Sequence, residues 1–177
     1  MCLFNKHTFS SIMNKTGIFY ASATGTTADI ARRIANALGV ADADVYDVAD
    51  TAPDRLGEYD TIIIGSSTYG SGDLEDDMAD FLDGASALSL KGKKIAVFGC
   101  GDETMSDTFC NAVGTIYRRL EGTGATMIGQ FPATGYTFEE SSAADGATMV
   151  GLVIDEVNHP ELTDKRIAQW VEQIGKE

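Results

Sequence analysis

The 177-residue sequence predicts an α/β domain built on a doubly wound, five-stranded parallel sheet, with helices on both faces and an insertion in the last strand. Three observations predict it. Short apolar runs rich in Ile, Val and Phe alternate with stripes of apolar residues three or four positions apart. The runs end in Gly/Ser/Thr clusters, and one long polar stretch interrupts the last run. Parallel strands joined through helices require right-handed crossovers, which cover both faces of the sheet.

Gly17–Tyr20 is the first strand, its unbroken apolar character being that of a strand buried on both sides. Ser22-Ala23-Thr24-Gly25-Thr26-Thr27 follows and opens a helix with the inner stripe Ile30, Ile34 and Leu38. Asp44–Val48 supplies the second strand. Thr61–Gly65 is the third, and the helical stripe Leu74, Met78, Phe81 and Leu82 comes after it. Lys94–Gly99 is the fourth, leading to the stripe Phe109, Val113, Ile116 and Leu120. Ala125–Ile128 begins the fifth strand. Gln130–Gly146 then breaks the rhythm, too long for an ordinary connection and too polar for a core strand, before Val150–Ile154 resumes it. Closure entropy grows only logarithmically with length, so such an excursion is tolerated, and it reads as surface decoration with no chemistry of its own. The stripe Ile167, Trp170, Val171 and Ile174 forms the last helix.

One domain, residues 13–177, accounts for these elements and is large enough to bury its own core. Residues 1–12 read as an N-terminal extension, either disordered or the product of a mis-assigned start; they lack the apolar core and small-residue cleavage site of a secretory signal. Cys2, Cys100 and Cys110 form no C-x-x-C pair, and their odd number points to a reducing cytoplasm rather than a disulfide framework. His7 and His159 stand alone, which argues against a transition-metal site. No apolar run is long enough to cross a bilayer. The formal net charge of −14 opposes binding to nucleic acid or to an anionic membrane, both polyanions, and favours basic protein surfaces. The charge is uneven: Asp73, Glu75, Asp76, Asp77, Asp80 and Asp83 crowd a stretch that contains no Lys or Arg between Arg55 and Lys91. Such a run is either a solvated helix face or a field around a neighbouring site.

In open α/β sheets ligands gather beyond the carboxyl ends of the strands. The first such end, Ser22 to Thr27, is a phosphate cradle: hydroxyls, amides at a helix start and a glycine that permits close approach. It has neither the lysine nor the spacing of a Walker loop, so a terminal monoester phosphate fits better than a polyphosphate. The second is Ser66-Ser67-Thr68-Tyr69-Gly70-Ser71-Gly72-Asp73, and the third Gly99-Cys100-Gly101-Asp102-Glu103-Thr104-Met105. Two glycine-rich loops beside a phosphate site suggest a planar ligand between them. Tyr69 offers a ring to stack on it, and Gly70 lets the following peptide present either its carbonyl or its N–H.

Taken together, Ser22-x-Thr24-Gly25-x-Thr27, Gly65-Ser66-Ser67-Thr68-Tyr69-Gly70 with Gly72-Asp73-Leu74, and Phe98-Gly99-Cys100-Gly101-Asp102 resemble flavodoxins from about Met13 to the C-terminus. The tail Phe138-Glu139, Val150 to Glu156 and Pro160-Glu161-Leu162-Thr163 is similar to the long-chain subfamily, whose fifth strand carries an insertion. The resemblance implies non-covalent FMN. Its phosphate would lie on Ser22, Ala23, Thr24, Gly25, Thr26 and Thr27. Ser67, Thr68, Tyr69, Gly70, Ser71 and Gly72 would hold one side of the isoalloxazine, and Cys100, Gly101 and Asp102 would approach its pyrimidine edge. The sequence departs from the family at Met105, where a second tyrosine commonly stacks on the opposite face; a thioether packs against a ring without reproducing that stacking.

The activity implied is that of a low-potential electron carrier, not an enzyme, working between semiquinone and hydroquinone as a monomer. Its partners would be basic surfaces of redox proteins such as NADPH-dependent or 2-oxoacid flavodoxin reductases. A response-regulator receiver is set aside, because Ala21-Ser22 and Gly65-Ser66-Ser67 stand where its acidic residues belong. A flavin-dependent NAD(P)H:quinone reductase of the same fold remains the alternative.

Overall fold

The computed structural model describes residues 14–105 and 107–177, so the expected extension at 1–12 lies outside the described residues. The elements run β1 (Thr16–Ala21), α1 (Thr26–Leu38), β2 (Val45–Asp47), β3 (Thr61–Tyr69), β4 (Asp73–Leu74), α2 (Asp76–Ala85), β5 (Lys94–Cys100), α3 (Asn111–Glu121), β6 (Thr126–Ile128), β7 (Phe131–Pro132), β8 (Ala144–Asp145), β9 (Thr148–Met149), β10 (Leu152–Ile154) and α4 (Pro160–Ile174). The main sheet has the order β10-β5-β3-β1-β2, and its pairings are parallel except that β4 returns antiparallel on β3.

Strand residues alternate between two cores, as the period of two requires. Phe19, Ile62, Ile64, Ile95 and Val97 face the layer that holds α2 and α3. Ile18, Ile63, Ala96 and Phe98 face α1 and α4. Ile30 and Ile34 seat α1 and are fully buried, each removal from water contributing roughly 1.5–3 kcal/mol. Trp170 anchors α4, its indole N–H donating to the Gly129 carbonyl at 2.7 Å in the interior.

Phe109, counted with the third helical stripe, precedes α3, and two further expectations are corrected. The segment Ser66–Tyr69, read as loop, continues β3, because its N–H and C=O groups pair onward with β5 and β4. Leu74, assigned to the second helix, belongs to β4 instead. Helix α2 starts at Asp76 because Glu75 caps it, accepting from the amides of Asp77 and Met78.

The last strand is split. β6 pairs with the first part of β5, up to Ile128 opposite Ala96, and β10 with its end, from Leu152 opposite Phe98. Between them the polar stretch forms a small antiparallel sheet, β7-β9-β8. This insertion lies directly on α3. A Cβ at Gly114 would overlap the Ser142 carbonyl, the Ser142 amide donates to Asn111 Oδ1 at 2.7 Å, and Arg118 donates to the Ser142 carbonyl at 3.0 Å. Among the described residues no helix is long and apolar enough to cross a membrane.

Candidate functional site

Strand order reverses at β1: the chain leaves it for β2 on one side and returns to β3 on the other. The loops after β1, β3 and β5 therefore converge at one end of the sheet, where an open α/β fold binds its ligands.

Beyond β1, Gly25 takes φ +95° and precedes α1 with no side chain capping the helix amides. A Cβ would strain that conformation. The Gly25 amide donates to Ser22 Oγ at 3.1 Å, and the Asp29 amide to the Gly25 carbonyl at 3.0 Å, which folds Ser22 to Thr27 into a concave turn. Ala23, Thr24 and Thr26 are exposed on it, whereas Thr27 is fully buried. The free amides and the positive end of the helix dipole suit an anion. Of the two arginines on α1, Arg33 is engaged by Glu156 at 3.0 Å and Asp164 at 2.6 Å, and Arg32 is exposed. The cradle thus fits a monoester phosphate held by amides and hydroxyls.

Hydroxyls join this cradle to β3. Thr27 Oγ1 donates to Ser67 Oγ at 3.2 Å, and Ser67 Oγ to the Tyr69 hydroxyl at 3.2 Å. The turn after β3 is shorter than the sequence suggests, Gly70 to Gly72, with Gly70 at φ +49° and the Gly72 amide donating to the Tyr69 carbonyl at 2.9 Å.

After β5 the Gly101 amide donates to the Ile154 carbonyl at 2.9 Å. Asp102 Oδ1 accepts from the Thr104 hydroxyl and amide and from Asn158 Nδ2, hydrogen bonds that hold its carboxyl below the usual carboxylate range. Asp155 is fully buried and accepts from the amides of Glu103, Val157 and Asn158 at 2.8–2.9 Å. It ties the loop after β5 to the loop after β10.

Between these loops lies a cleft of about 180 Å³. Thr68, Tyr69 and Gly70 reach it from β3 and its turn, and Gly101, Asp102, Met105, Thr108 and Cys110 from the segment after β5. Met105 is half-exposed there. Cys110 is the only non-glycine at positive φ among the described residues, which marks a strained backbone beside the cleft. A larger cleft, about 640 Å³, opens between β7 and α4 but carries none of the three strand-end loops.

Of the residues expected to bind the ligand, 22–27, 67–72, Gly101, Asp102 and Met105 therefore meet at one end of the sheet. Cys100 differs from its neighbours. Its side chain lies in the α1/α4 core, and burial pushes its thiol up to about 12 against the opposing hydrogen bond from Thr27. Thr108, Cys110, Asp155 and Asn158 were not among the residues expected from sequence. The available signal was position: Asp155 immediately follows the last strand, at the same end as the other loops.

A doubly wound sheet with a lysine-free anion cradle, joined by hydroxyls to a cleft bordered by Tyr69 and Met105, defines a mononucleotide-binding protein. The family model described as flavodoxin matches residues 18–170. Flavodoxin 1 of Escherichia coli (strain K12) is 43% identical over 164 residues, covering 92% of this chain and 93% of that protein. The flavodoxin of Helicobacter pylori is 40% identical over 163 residues, 92% of this chain and 97% of that protein. The crystal structure of Fusobacterium nucleatum flavodoxin bound to flavin mononucleotide is similar at a TM-score of 0.86 and 28% identity, covering 93% of this chain and 98% of that one. The chain belongs to the flavodoxin family.

Proposed function

We propose that the chain is a low-potential one-electron carrier of the long-chain flavodoxin subfamily that binds FMN non-covalently. The observation that carries this reading is the continuity of site: the uncapped cradle at Ser22–Thr27 runs through Thr27 and Ser67 into the cleft of Tyr69, Gly70, Asp102 and Met105. FMN, when bound, supplies the one-electron redox chemistry. The cradle would hold its phosphate, Tyr69 and Met105 would flank its ring, and Gly101 and Asp102 would meet its polar edge. The split fifth strand with its insertion supports the long-chain assignment.

Asp73 is exposed opposite Tyr69 and Asp76, Asp77 and Asp80 are exposed on α2, whereas Glu75 is used as a helix cap and Asp83 is paired with Arg119. These exposed carboxylates steer basic surfaces of redox partners such as NADPH-dependent or 2-oxoacid flavodoxin reductases. The composition fits a cytoplasmic monomer. Calorimetric titration with FMN is expected to show saturable uptake, and the loaded protein is expected to stay oxidised with NADPH until a reductase is added. Prompt bleaching by NADPH alone would establish the quinone-reductase alternative, and absence of FMN uptake would sink both readings.

The turn at Gly70 gives a second test. Without a Cβ, the Gly70–Ser71 peptide can rotate to offer either its carbonyl or its N–H to the ring. Holding alanine in the left-handed region costs about 1 kcal/mol, or about 40 mV for one electron. Gly70→Ala is expected to narrow the separation between the two one-electron potentials by tens of millivolts. An unchanged separation in a redox titration would count against a role for that peptide.

A further inference from the structure

Glu103 sits between Asp102, which borders the cleft, and Thr104, yet its side chain turns away from the site. It is 4% exposed. One carboxylate oxygen, Oε2, accepts from the Thr137 amide at 2.8 Å and from the Thr137 hydroxyl at 2.7 Å. The other, Oε1, is buried without a hydrogen bond and has Arg166 Nη1 at 4.0 Å. His159 Nε2 lies 3.9 Å from Oε2. Thr137 belongs to the insertion. Arg166 comes from α4 and also holds the insertion, donating to the Gly135 carbonyl at 3.0 Å with its guanidinium 3.9 Å from the centre of the Tyr136 ring.

A buried carboxylate with one oxygen unsatisfied is costly to keep, so its surroundings must fix it in place. Here the insertion supplies both hydrogen bonds and α4 supplies the facing charge. The backbone of the same residue is pinned from the other direction, its amide donating to buried Asp155 at 2.9 Å. We propose that Glu103 is a positioning residue through which the insertion holds the loop 101–105 against the flavin. The insertion is then a brace for the cofactor site rather than surface decoration. The inference rests on the FMN reading above, because it assigns a ring to the cleft that this loop borders.

The test measures dissociation constants for FMN and for riboflavin, which lacks the phosphate, and the inhibition constant of inorganic phosphate in competition with FMN. Glu103→Ala is expected to weaken both flavins on the order of tenfold and to leave the phosphate constant unchanged, since the brace acts on the ring and not on the cradle. Glu103→Gln is expected to restore affinity to within about threefold, its amide carbonyl still accepting from Thr137. Thr137→Ala is expected to weaken the flavins about threefold, and the double variant Glu103→Ala/Thr137→Ala to be no weaker than Glu103→Ala alone. Thr137 is exposed, so that variant carries the test if Glu103→Ala fails to fold. For Glu103→Ala, flavin affinities within twofold of wild type, penalties that add in the double variant, or a parallel loss of phosphate binding would each overturn the proposal. A wild-type chain that takes up neither flavin overturns the cofactor reading and this proposal with it; normal wild-type uptake with Glu103→Ala unaffected overturns the proposal alone.

Discussion

Thr24→Asp is expected to weaken FMN binding by about two to three orders of magnitude. Two unit charges ~4 Å apart at an effective dielectric of ~20 repel by about 4 kcal/mol, close to a thousandfold, and salt at this exposed loop reduces the figure. Thr24 is exposed on the cradle, so the fold is not disturbed. Riboflavin affinity is expected to stay near that of wild type, and Thr24→Ser to bind FMN normally. A calorimetric FMN affinity within tenfold of wild type for Thr24→Asp would show that the phosphate lies elsewhere. The sign is what matters: residues 22–27 carry no cationic side chain, so the cradle relies on partial charges from amides, which a full carboxylate overwhelms.

Trp170→Ala is expected to lower stability by about 3–5 kcal/mol, a large share of what a domain of this size possesses. Its ring is fully buried between α4 and the end of β6, and its N–H satisfies the Gly129 carbonyl. Truncation opens a cavity and removes that donor. Trp170→Phe keeps most of the packing and loses the hydrogen bond, so its loss is expected to be about half as large. Because Trp170 is the only tryptophan in the sequence, urea unfolding is followed by far-UV circular dichroism instead of fluorescence. A loss under about 1.5 kcal/mol would mean that α4 is held mainly by other contacts, such as the Arg33 ion pairs.

Periodicity made the main sheet and its helices legible, because Ile18 and Phe19, or Ile62 and Ile63, must face opposite cores whenever both sides are covered. The cradle was legible for the same kind of reason: a Gly/Ser/Thr cluster between strand and helix has few physical uses. The continuation of β3 through Tyr69 was not, since Ser66 to Tyr69 carry no apolar pattern and are held in the strand by backbone pairing with β5 and the short β4. Nor was the place of Glu103. Its partners Thr137 and Arg166 lie 34 and 63 positions away, and only the docking of the insertion on α3 and α4 brings them together. Asp155 illustrates the intermediate case, where position at a strand end was visible but the three amides that it gathers were not.

The divided outer strand also makes the excursion genetically separable. Ile128 stands opposite Ala96 and Leu152 opposite Phe98, so a single residue facing Val97 would join the two halves in register. Gly151, whose added Cβ would run into the Val97 carbonyl, already occupies that place. A gene lacking codons 129–150 would therefore encode a fifth strand whose two halves run on in register along β5. What such a deletion would forfeit is the clasp on Trp170 and on Glu103, together with the buried side chains of Phe131, Ala143, Met149 and Val150.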